Sequence, residues 1–223
     1  MTTLEPGPVA HGLLLAAGAG TRMGRPKALL TRPDGTGYLE AAARALLEGG
    51  CAEVLVVLGA AAGEARRRLE AAAPTGVRAI ECPRWAQGQG ESLRCGLRHL
   101  RERSNASVAV IQLVDLPDVD ARVIRRLLGA AGSAGSTGAG ALARAAYDGI
   151  GGHPVLLGRD HWAPAAATAT GDRGARAYLR EHATVLIEAG DLAAGRDVDT
   201  PEEYRAAGGL DGPEGSGGSG VPG

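Results

Sequence analysis

Residues 13–27 read Leu-Leu-Leu-Ala-Ala-Gly-Ala-Gly-Thr-Arg-Met-Gly-Arg-Pro-Lys, and they carry the strongest fold signal in the chain. A mostly apolar run, residues 9–16, passes directly into a glycine-rich segment that carries three cationic side chains and no carboxylate. Such a run before a glycine-rich turn is typical of a parallel strand that is covered on both faces. Because ligands bind at the carboxyl ends of strands in open parallel sheets, the segment after this strand is a candidate binding loop.

The rest of the chain alternates short apolar runs with helical patterns. In the stretch 91–103, Leu93, Leu97 and Leu100 fall on one helix face. Alternating strands and helices predict an α/β protein with a single doubly wound, mostly parallel sheet of the Rossmann-like kind. The predicted strands are 9–16, 54–58, 77–80, 108–114, 155–157 and 184–187, and the predicted helices are 38–48, 63–72, 91–103, 121–131 and 175–181.

The 223 residues suit one domain, which we predict to span residues 9–207. Residues 1–8 are expected to be a frayed N-terminus. Residues 208–223 are half glycine and nearly free of large apolar side chains, which predicts a disordered tail. The stretch 129–140, rich in glycine, serine and alanine, is interpreted as a surface connection.

Composition excludes several classes of protein. With 24 Lys and Arg against 25 Asp and Glu, the chain has no global basic field to attract nucleic acid or anionic lipid. No apolar run approaches the roughly 20 residues that span a bilayer, which excludes a membrane protein. Residues 1–8 lack a secretory signal pattern, so we expect a cytoplasmic location. The three cysteines are odd in number and far apart, which argues against a disulfide framework or a zinc site.

The loop after the first strand suits a phosphate group. Glycines allow positive φ and close backbone approach, so several N–H groups can converge on an oxyanion while Arg22 and Lys27 add charge. The dinucleotide fingerprint fails because Met23 stands where glycine is needed, and the P-loop fails because residues 24–27 read Gly-Arg-Pro-Lys. The alternative interpretation is an ordinary glycine turn.

Two carboxylates are candidate metal ligands. Asp115 follows the apolar run 108–114, so it lies at the carboxyl end of a strand, where it would hold Mg²⁺ with water and phosphate oxygens. A turn aspartate is the alternative. Asp199 precedes residues 200–203, Thr-Pro-Glu-Glu, which predict an N-cap, a proline at the first helical position and a capping-box glutamate. Capping of that helix accounts for Thr200, Pro201 and Glu203 but gives Asp199 no role, which leaves it as a candidate metal ligand.

The loop resembles the Leu-Ala-Ala-Gly-x-Gly-x-Arg-Met-Gly-x-Pro-Lys signature of nucleotidyltransferases, specifically the molybdenum cofactor cytidylyltransferase branch of the MobA-like family. The resemblance covers about residues 9–207. Further motifs similar to that branch are, in order, WAQGQGESLRCGL (85–97), LVDLP (113–117), GGHPVLLG (151–158), GDRGAR (171–176) and VDTPEE (198–203).

This resemblance implies transfer of CMP from CTP to the phosphate of a molybdopterin-type cofactor, with release of pyrophosphate. Arg22 would stabilise the leaving triphosphate, Lys27 would stabilise charge on the α-phosphate, and Asp115 and Asp199 would share Mg²⁺. A phosphate acceptor is largely ionised at neutral pH, so the reaction needs no general base. The resemblance also implies that the product goes to a molybdenum hydroxylase of the xanthine dehydrogenase kind.

The nucleotide-binding residues expected under this resemblance include Ser92, for which an ordinary capping serine is the alternative. Trp85 is expected to pack in the core rather than to stack on a base. Guanylyl members of the resembling families tend to carry glycine at the position of Ala17, so this alanine favours CTP. The expected nucleotide-binding residues are Ala16, Ala17, Gly18, Gly20, Thr21, Gly59 and Ser92.

The expected acceptor-binding residues are His153, Asp172 and Arg176. His153 stands between glycines and a proline, and the alternative is a loop histidine bonded to backbone. Asp172 is also read as a helix N-cap, which would leave Arg173 and Arg176 on a solvated face.

Three alternative functions stay open. Residues 118–120 are a literal Asp-x-Asp, the metal motif of nucleotide-sugar glycosyltransferases, although capping of the helix predicted at 121–131 also accounts for them. A non-catalytic nucleotide-binding protein is disfavoured because all four charged site residues are present. Within the transferases, GTP or another phosphorylated acceptor remains an alternative.

Overall fold

The structure is a computed structural model, which describes residues 9–72, 75–133 and 138–209. The strands of the described residues are β1 Ala10–Ala16, β2 Glu53–Leu58, β3 Val77–Glu81, β4 Val108–Leu113, β5 Leu142–Tyr147, β6 Ile150–Gly158 and β7 Val185–Glu188. The α-helices are α1 Tyr38–Glu48, α2 Ala62–Ala72, α3 Gln89–Arg103, α4 Ala121–Ser133, α5 Arg159–Thr168, α6 Arg176–Glu181 and α7 Pro201–Ala206. Short 3-10 helices span Lys27–Leu29, Trp85–Gln87, Gly138–Gly140 and Gly171–Arg173.

All the described strands form one sheet in the order β3-β2-β1-β4-β6-β5-β7. The pairs β1–β2, β1–β4, β2–β3 and β5–β7 are parallel. Strand β6 runs antiparallel to both of its neighbours, β4 and β5. The predicted α/β fold with a single, mostly parallel sheet is therefore confirmed.

Helices cover both faces of the sheet because successive side chains of a strand point to opposite faces. In β1, Leu14 packs into the core under α1, α2 and α4, whereas Leu13 and Leu15 pack into the core under α3, α5 and α6. Both faces of β1 are thus buried, and only the loops at its ends are free to bind a ligand.

Two elements were missing from the sequence prediction. Strand β5, Leu-Ala-Arg-Ala-Ala-Tyr, has no β-branched residue and therefore lacks the usual strand signal. Helix α5 contains Pro164, which ordinarily breaks a helix. The strand predicted at 155–157 is the end of the longer antiparallel β6, so His153 lies in a strand and the loop interpretation of it is wrong.

The expected surface connection at 129–140 is partly wrong, because α4 continues through Ser133. Its residues 134–137 lie outside the described part of the chain, as do the predicted frayed end 1–8 and residues 210–223 of the predicted tail. No helix among the described residues is both long and apolar enough to cross a membrane. The three cysteines are free and buried.

Candidate active site

A cleft of about 740 Å³ opens at the carboxyl ends of β1 and β4. Its walls come from the glycine-rich loop after β1, the first turn of α3, the N-terminal part of β6 and the segment 172–176. The sequence predicts a binding site at this edge of the sheet, and the structure places a deep cleft there.

The glycine-rich loop folds back tightly on itself. Gly20 has a φ of +64°, and a Cβ at this position would lie 2.0 Å from the carbonyl oxygen of Arg25. Met23, in the middle of the loop, is 6% exposed, and its side chain packs into the core. The close backbone approach at Gly20 therefore requires glycine and brings Lys27 back toward the end of β1.

Four predicted site residues meet on the cleft floor. Lys27 Nζ donates to Asp115 Oδ2 at 2.6 Å and also to Asp199 Oδ1. Arg22 Nη2 lies 2.6 Å from the second carboxylate oxygen of Asp199. The side chains of Lys27, Asp115 and Asp199 are 14–18% exposed, whereas that of Arg22 is 73% exposed. Lys27 is thus fixed between two carboxylates, and Arg22 stands at the solvent side.

Local structure positions Asp199. Thr200 caps α7, because its side chain accepts from the backbone N–H of Glu203. The Glu203 carboxylate accepts in return from the backbone N–H groups of Asp199 and Thr200, at 2.8 and 2.9 Å. The predicted capping box is confirmed. Val198 N–H donates to the Asp115 carbonyl at 2.9 Å, which ties the segment before α7 to the end of β4.

The electrostatics of the cluster follow from burial and pairing. Burial raises the pKa of Asp115 above its ordinary value, more than Lys27 lowers it. Burial opposes the charged form of Lys27, but the two carboxylates outweigh it and raise the pKa of this lysine. Burial likewise acts against the Asp199 carboxylate, but Lys27 and Arg22 outweigh it and hold its pKa below the ordinary value.

The two carboxylates suit a hard divalent cation. Asp115 Oδ1 is buried and has no hydrogen-bond partner among the described residues. Mg²⁺ prefers oxygen ligands and commonly takes one or two carboxylates together with substrate phosphates. In the described part of the chain, no cluster of three or more His, Cys, Asp or Glu side chains could form a full protein cage. The buried and unpartnered oxygen of Asp115, beside the Asp199 carboxylate, is the feature that fits a divalent cation.

The Asp-x-Asp segment has a structural explanation. Asp120 accepts from the backbone N–H of Arg122 at 2.8 Å, at the start of α4. Asp118 accepts from the backbone N–H groups of Ala194 and Gly195, at 2.7 and 3.0 Å. These carboxylates cap a helix and hold a loop, which argues against the glycosyltransferase alternative.

Most of the expected nucleotide-binding residues line the cleft, namely Ala16, Ala17, Gly18, Gly20, Thr21 and Ser92. Gly59 is not among the lining residues. A Cβ at Gly59 would lie 2.5 Å from Trp85 Cγ, so this glycine makes room for the half-buried tryptophan, which packs on the core and also lines the cleft. The N-cap of α3 is Gly88, so the capping alternative for Ser92 is wrong.

The expected acceptor-binding residues His153, Asp172 and Arg176, together with Arg173, line the other end of the cleft. The N-cap of α6 is Ala175 and makes no side-chain cap, so the N-cap interpretation of Asp172 is wrong. Burial, followed by the charges of Arg144 and Arg176, lowers the pKa of His153 to about 4. His153 is therefore neutral at neutral pH.

Sequence reasoning missed two residues at this end. Arg144 lines the cleft from β5. Tyr147, also on β5, donates from its hydroxyl to the His153 carbonyl at 2.6 Å. Both residues lie in the alanine-rich segment Leu142–Tyr147. Because no strand is predicted there from the sequence, these two side chains are not expected near the cleft.

The fold is that of Rossmann-like nucleotidyltransferases. A family model described as a MobA-like NTP transferase domain matches residues 12–185, and the chain belongs to this family. The resemblance of the sequence motifs to the MobA-like family is therefore confirmed.

Individual relatives cover nearly the whole chain. Nicotine blue oxidoreductase from Paenarthrobacter nicotinovorans is 37% identical over 211 residues, which cover 89% of this chain and 96% of that protein. The crystal structure of Rv0371c from Mycobacterium tuberculosis H37Rv matches with a TM-score of 0.69 and 27% identity, covering 91% of this chain and 98% of the other. The complex of Rv0371c with manganese matches with a TM-score of 0.66 and 26% identity, covering 90% and 98%.

Proposed function

We propose that this protein is a Mg²⁺-dependent nucleotidyltransferase that moves CMP from CTP onto the phosphate of a molybdopterin-type cofactor. One observation carries the proposal: Lys27 bridges Asp115 and Asp199 on the floor of a cleft walled by a glycine-rich, cationic loop. Family membership supports nucleotidyl transfer. The choice of acceptor rests on the resemblance of the motifs at 151–158 and 171–176 to the cytidylyltransferase branch.

In the proposed reaction, an oxygen of the acceptor phosphate attacks the α-phosphorus of CTP, and the bond between this phosphorus and its β-bridging oxygen breaks. Pyrophosphate leaves. Lys27 stabilises the charge that develops on the α-phosphate, and the exposed Arg22 stabilises the leaving pyrophosphate. The acceptor phosphate needs no general base. His153 at the acceptor end would be a weak one, because burial and the nearby arginines lower its pKa to about 4.

A divalent metal bound to Asp115 and Asp199 would neutralise phosphate charge and orient the triphosphate. The orphaned oxygen of Asp115 supports this role, since a buried oxygen without a partner is costly unless a ligand satisfies it. The complex of Rv0371c with manganese also supports a divalent cation. A cytoplasmic location is a further part of the proposal. Delivery of the product to a molybdenum hydroxylase is another, and it rests only on the resemblance to the cytidylyltransferase branch.

An oxidoreductase is the second candidate, because a relative at 37% identity is nicotine blue oxidoreductase. The cationic loop would then hold the pyrophosphate of a nicotinamide dinucleotide instead of a triphosphate. The departure of Met23 from the dinucleotide fingerprint weighs against this candidate.

Thermal denaturation in the presence of ligands tests both candidates. We expect CTP with Mg²⁺ or Mn²⁺ to raise Tm more than GTP, ATP or UTP, and to do so only with metal. A ligand at 100 times its Kd stabilises by about 2.7 kcal/mol. Pyrophosphate release on addition of molybdopterin then confirms the transfer. A Tm rise with NADH or NADPH alone, and none with any triphosphate, would instead select the oxidoreductase.

A further inference from the structure

Arg144 lies on β5 and reaches the cleft from the side opposite the glycine-rich loop. It pairs with Val155 of β6, which pairs with Ile111 of β4, which in turn pairs with Leu13 of β1. Residues that pair across a sheet point to the same face. Arg144 therefore belongs to the face covered by α3 and α6, three strands from the loop that carries Arg22 and Lys27.

The Gly-Gly-His-Pro segment makes room for this arginine. A Cβ at Gly151 would lie 2.7 Å from Arg144 Nε and 2.9 Å from its Cδ and Cζ, so the side chain crosses β6 directly over the glycine. Nε donates to the Gly152 carbonyl at 3.1 Å, which fixes the guanidinium. The two terminal nitrogens make no hydrogen bond within the described residues and are free to bind a ligand. Strand β6 is the neighbour of β4, the strand that ends before Asp115.

The charge at this end of the cleft is unbalanced. Arg144 is half-buried, and neither it nor Arg176 pairs with a carboxylate anywhere in residues 9–72, 75–133 or 138–209. Asp172 lines the same cleft but forms no ion pair with either arginine. Burial and the charge of Arg176 both lower the pKa of Arg144. A partly desolvated cation without a partner is unfavourable, and an anionic ligand would remove that cost.

We propose that Arg144 and Arg176 form an anion subsite that binds the phosphate monoester of the acceptor before transfer. The identity of the ligand as the acceptor rests on the proposed function, whereas the subsite itself rests on the two unpaired guanidinium groups and on Gly151. The planar guanidinium of Arg144 offers two adjacent N–H donors, which match two oxygens of a tetrahedral dianion. The nucleotide phosphates belong to the other side of the cleft, at Arg22 and Lys27.

Inorganic phosphate is the probe, and the imidazole resonances of His153 in the full chain are the local reporter, because this ring lies at the same end of the cleft. We expect phosphate to shift these resonances saturably in the wild type. Arg144→Gln should weaken the apparent affinity by about 10- to 100-fold, the range expected for lost hydrogen bonds to a charged group. Arg144→Lys should retain part of the affinity. Arg103→Gln, an exposed arginine on α3, is the matched control and should bind as the wild type does.

A second variant leaves both arginines in place. Gly151→Ala should weaken phosphate binding, because its methyl group would displace the Arg144 side chain. This variant keeps the test decisive if the Arg144→Gln protein folds poorly. If phosphate leaves the His153 signals unmoved in the wild type, or if Arg144→Gln and Gly151→Ala bind it unchanged, the subsite is refuted. A loss of CTP affinity in Arg144→Gln without loss of phosphate affinity would assign the arginine to the nucleotide and also overturn the proposal.

Kinetics separate this inference from the proposed function. If cytidylyl transfer occurs, Arg144→Gln should raise KM for the acceptor at least about tenfold and leave KM for CTP unchanged. Transfer with an unchanged acceptor KM would refute the subsite and keep the function. Phosphate binding that depends on Arg144, in a protein without cytidylyl transfer, would keep the subsite and refute the function.

Discussion

Lys27 and Asp115 are 88 residues apart in the chain, and their side chains meet at 2.6 Å between Nζ and Oδ2. The contact joins the loop after β1 to the end of β4, the neighbouring strand. It also leaves the other Asp115 oxygen buried and unsatisfied within the described residues. The pair therefore closes the cleft floor and still presents one oxygen to an incoming cation.

The first prediction separates catalysis from stability in the cationic loop. Lys27→Ala and Arg22→Ala should each lower turnover by about 10²–10³-fold, because each removes charge that acts mainly in the transition state. Only Lys27→Ala should also destabilise the fold, by roughly 3–5 kcal/mol, since it leaves the buried Asp115 carboxylate without its ion-pair partner, whereas Asp199 keeps Arg22. Arg22 is 73% exposed, so its loss should change stability by no more than about 1 kcal/mol. Pyrophosphate release and urea unfolding measure the two effects; near-normal turnover in both variants would contradict the loop assignment.

The second prediction concerns the metal. Asp115→Asn should raise the Mg²⁺ or Mn²⁺ concentration needed for half-maximal activity, because it removes a negative ligand with a free oxygen. Asp120→Asn is the matched control, since Asp120 contacts only the start of α4 and should leave the metal titration unchanged. The opposite result, a metal defect in Asp120→Asn alone, would favour the glycosyltransferase alternative.

The third prediction is a pH dependence of stability that arises from His153. Its pKa in the folded protein is about 4, below the ordinary value of 6.5. Between these values the unfolded chain binds a proton that the folded protein does not, so stability rises with pH. The contribution is thus fully present above pH 6.5 and is lost as the pH falls toward 4, by up to about 1.4 kcal/mol per pH unit. Urea unfolding at several pH values should show a shallower acid slope in His153→Gln.

The control for this slope is His182→Gln, because His182 is exposed and lies outside the cleft. It should retain the wild-type dependence between pH 4 and 6.5. Equal slopes in the wild type and His153→Gln would show that the histidine is not held neutral by its surroundings.

The fourth prediction addresses base selection. Ala17 is 5% exposed and lies on the cleft wall. We expect the base to lie against this wall, where the Cβ of Ala17 would take space that the second ring of a purine needs. The wild type should prefer CTP to GTP, and Ala17→Gly should narrow the ratio of the two kcat/KM values. A single methyl group discriminates by only about 10- to 200-fold. Steady-state kinetics at fixed Mg²⁺ decide the matter, and an unchanged ratio in the variant would remove Ala17 from base selection.

Features encoded by neighbouring residues could be predicted from the sequence. The buried strand before the glycine-rich loop, the capping box at Thr200 and Glu203, and Asp115 at the end of β4 each depend on a short stretch of chain. Local propensity and hydrogen bonding act over a few residues, so a pattern of that length is sufficient. The family resemblance followed from such stretches as well, because each motif is contiguous.

Which of these stretches meet depends on long-range packing. Lys27 and Asp199 are 172 residues apart, and no local pattern indicates that their side chains share a hydrogen bond. The antiparallel insertion of β6 between β4 and β5 brings Arg144 over Gly151, in a strand whose alanine-rich sequence has little strand propensity of its own. Such a strand forms because neighbouring strands supply its hydrogen bonds and hydrophobic clusters on both faces of the sheet bury its side chains. Local patterns therefore predicted the glycine-rich loop and singled out Asp115 and Asp199 as separate candidate residues. Long-range packing brought both carboxylates to Lys27 and placed Arg144 at the other end of the cleft.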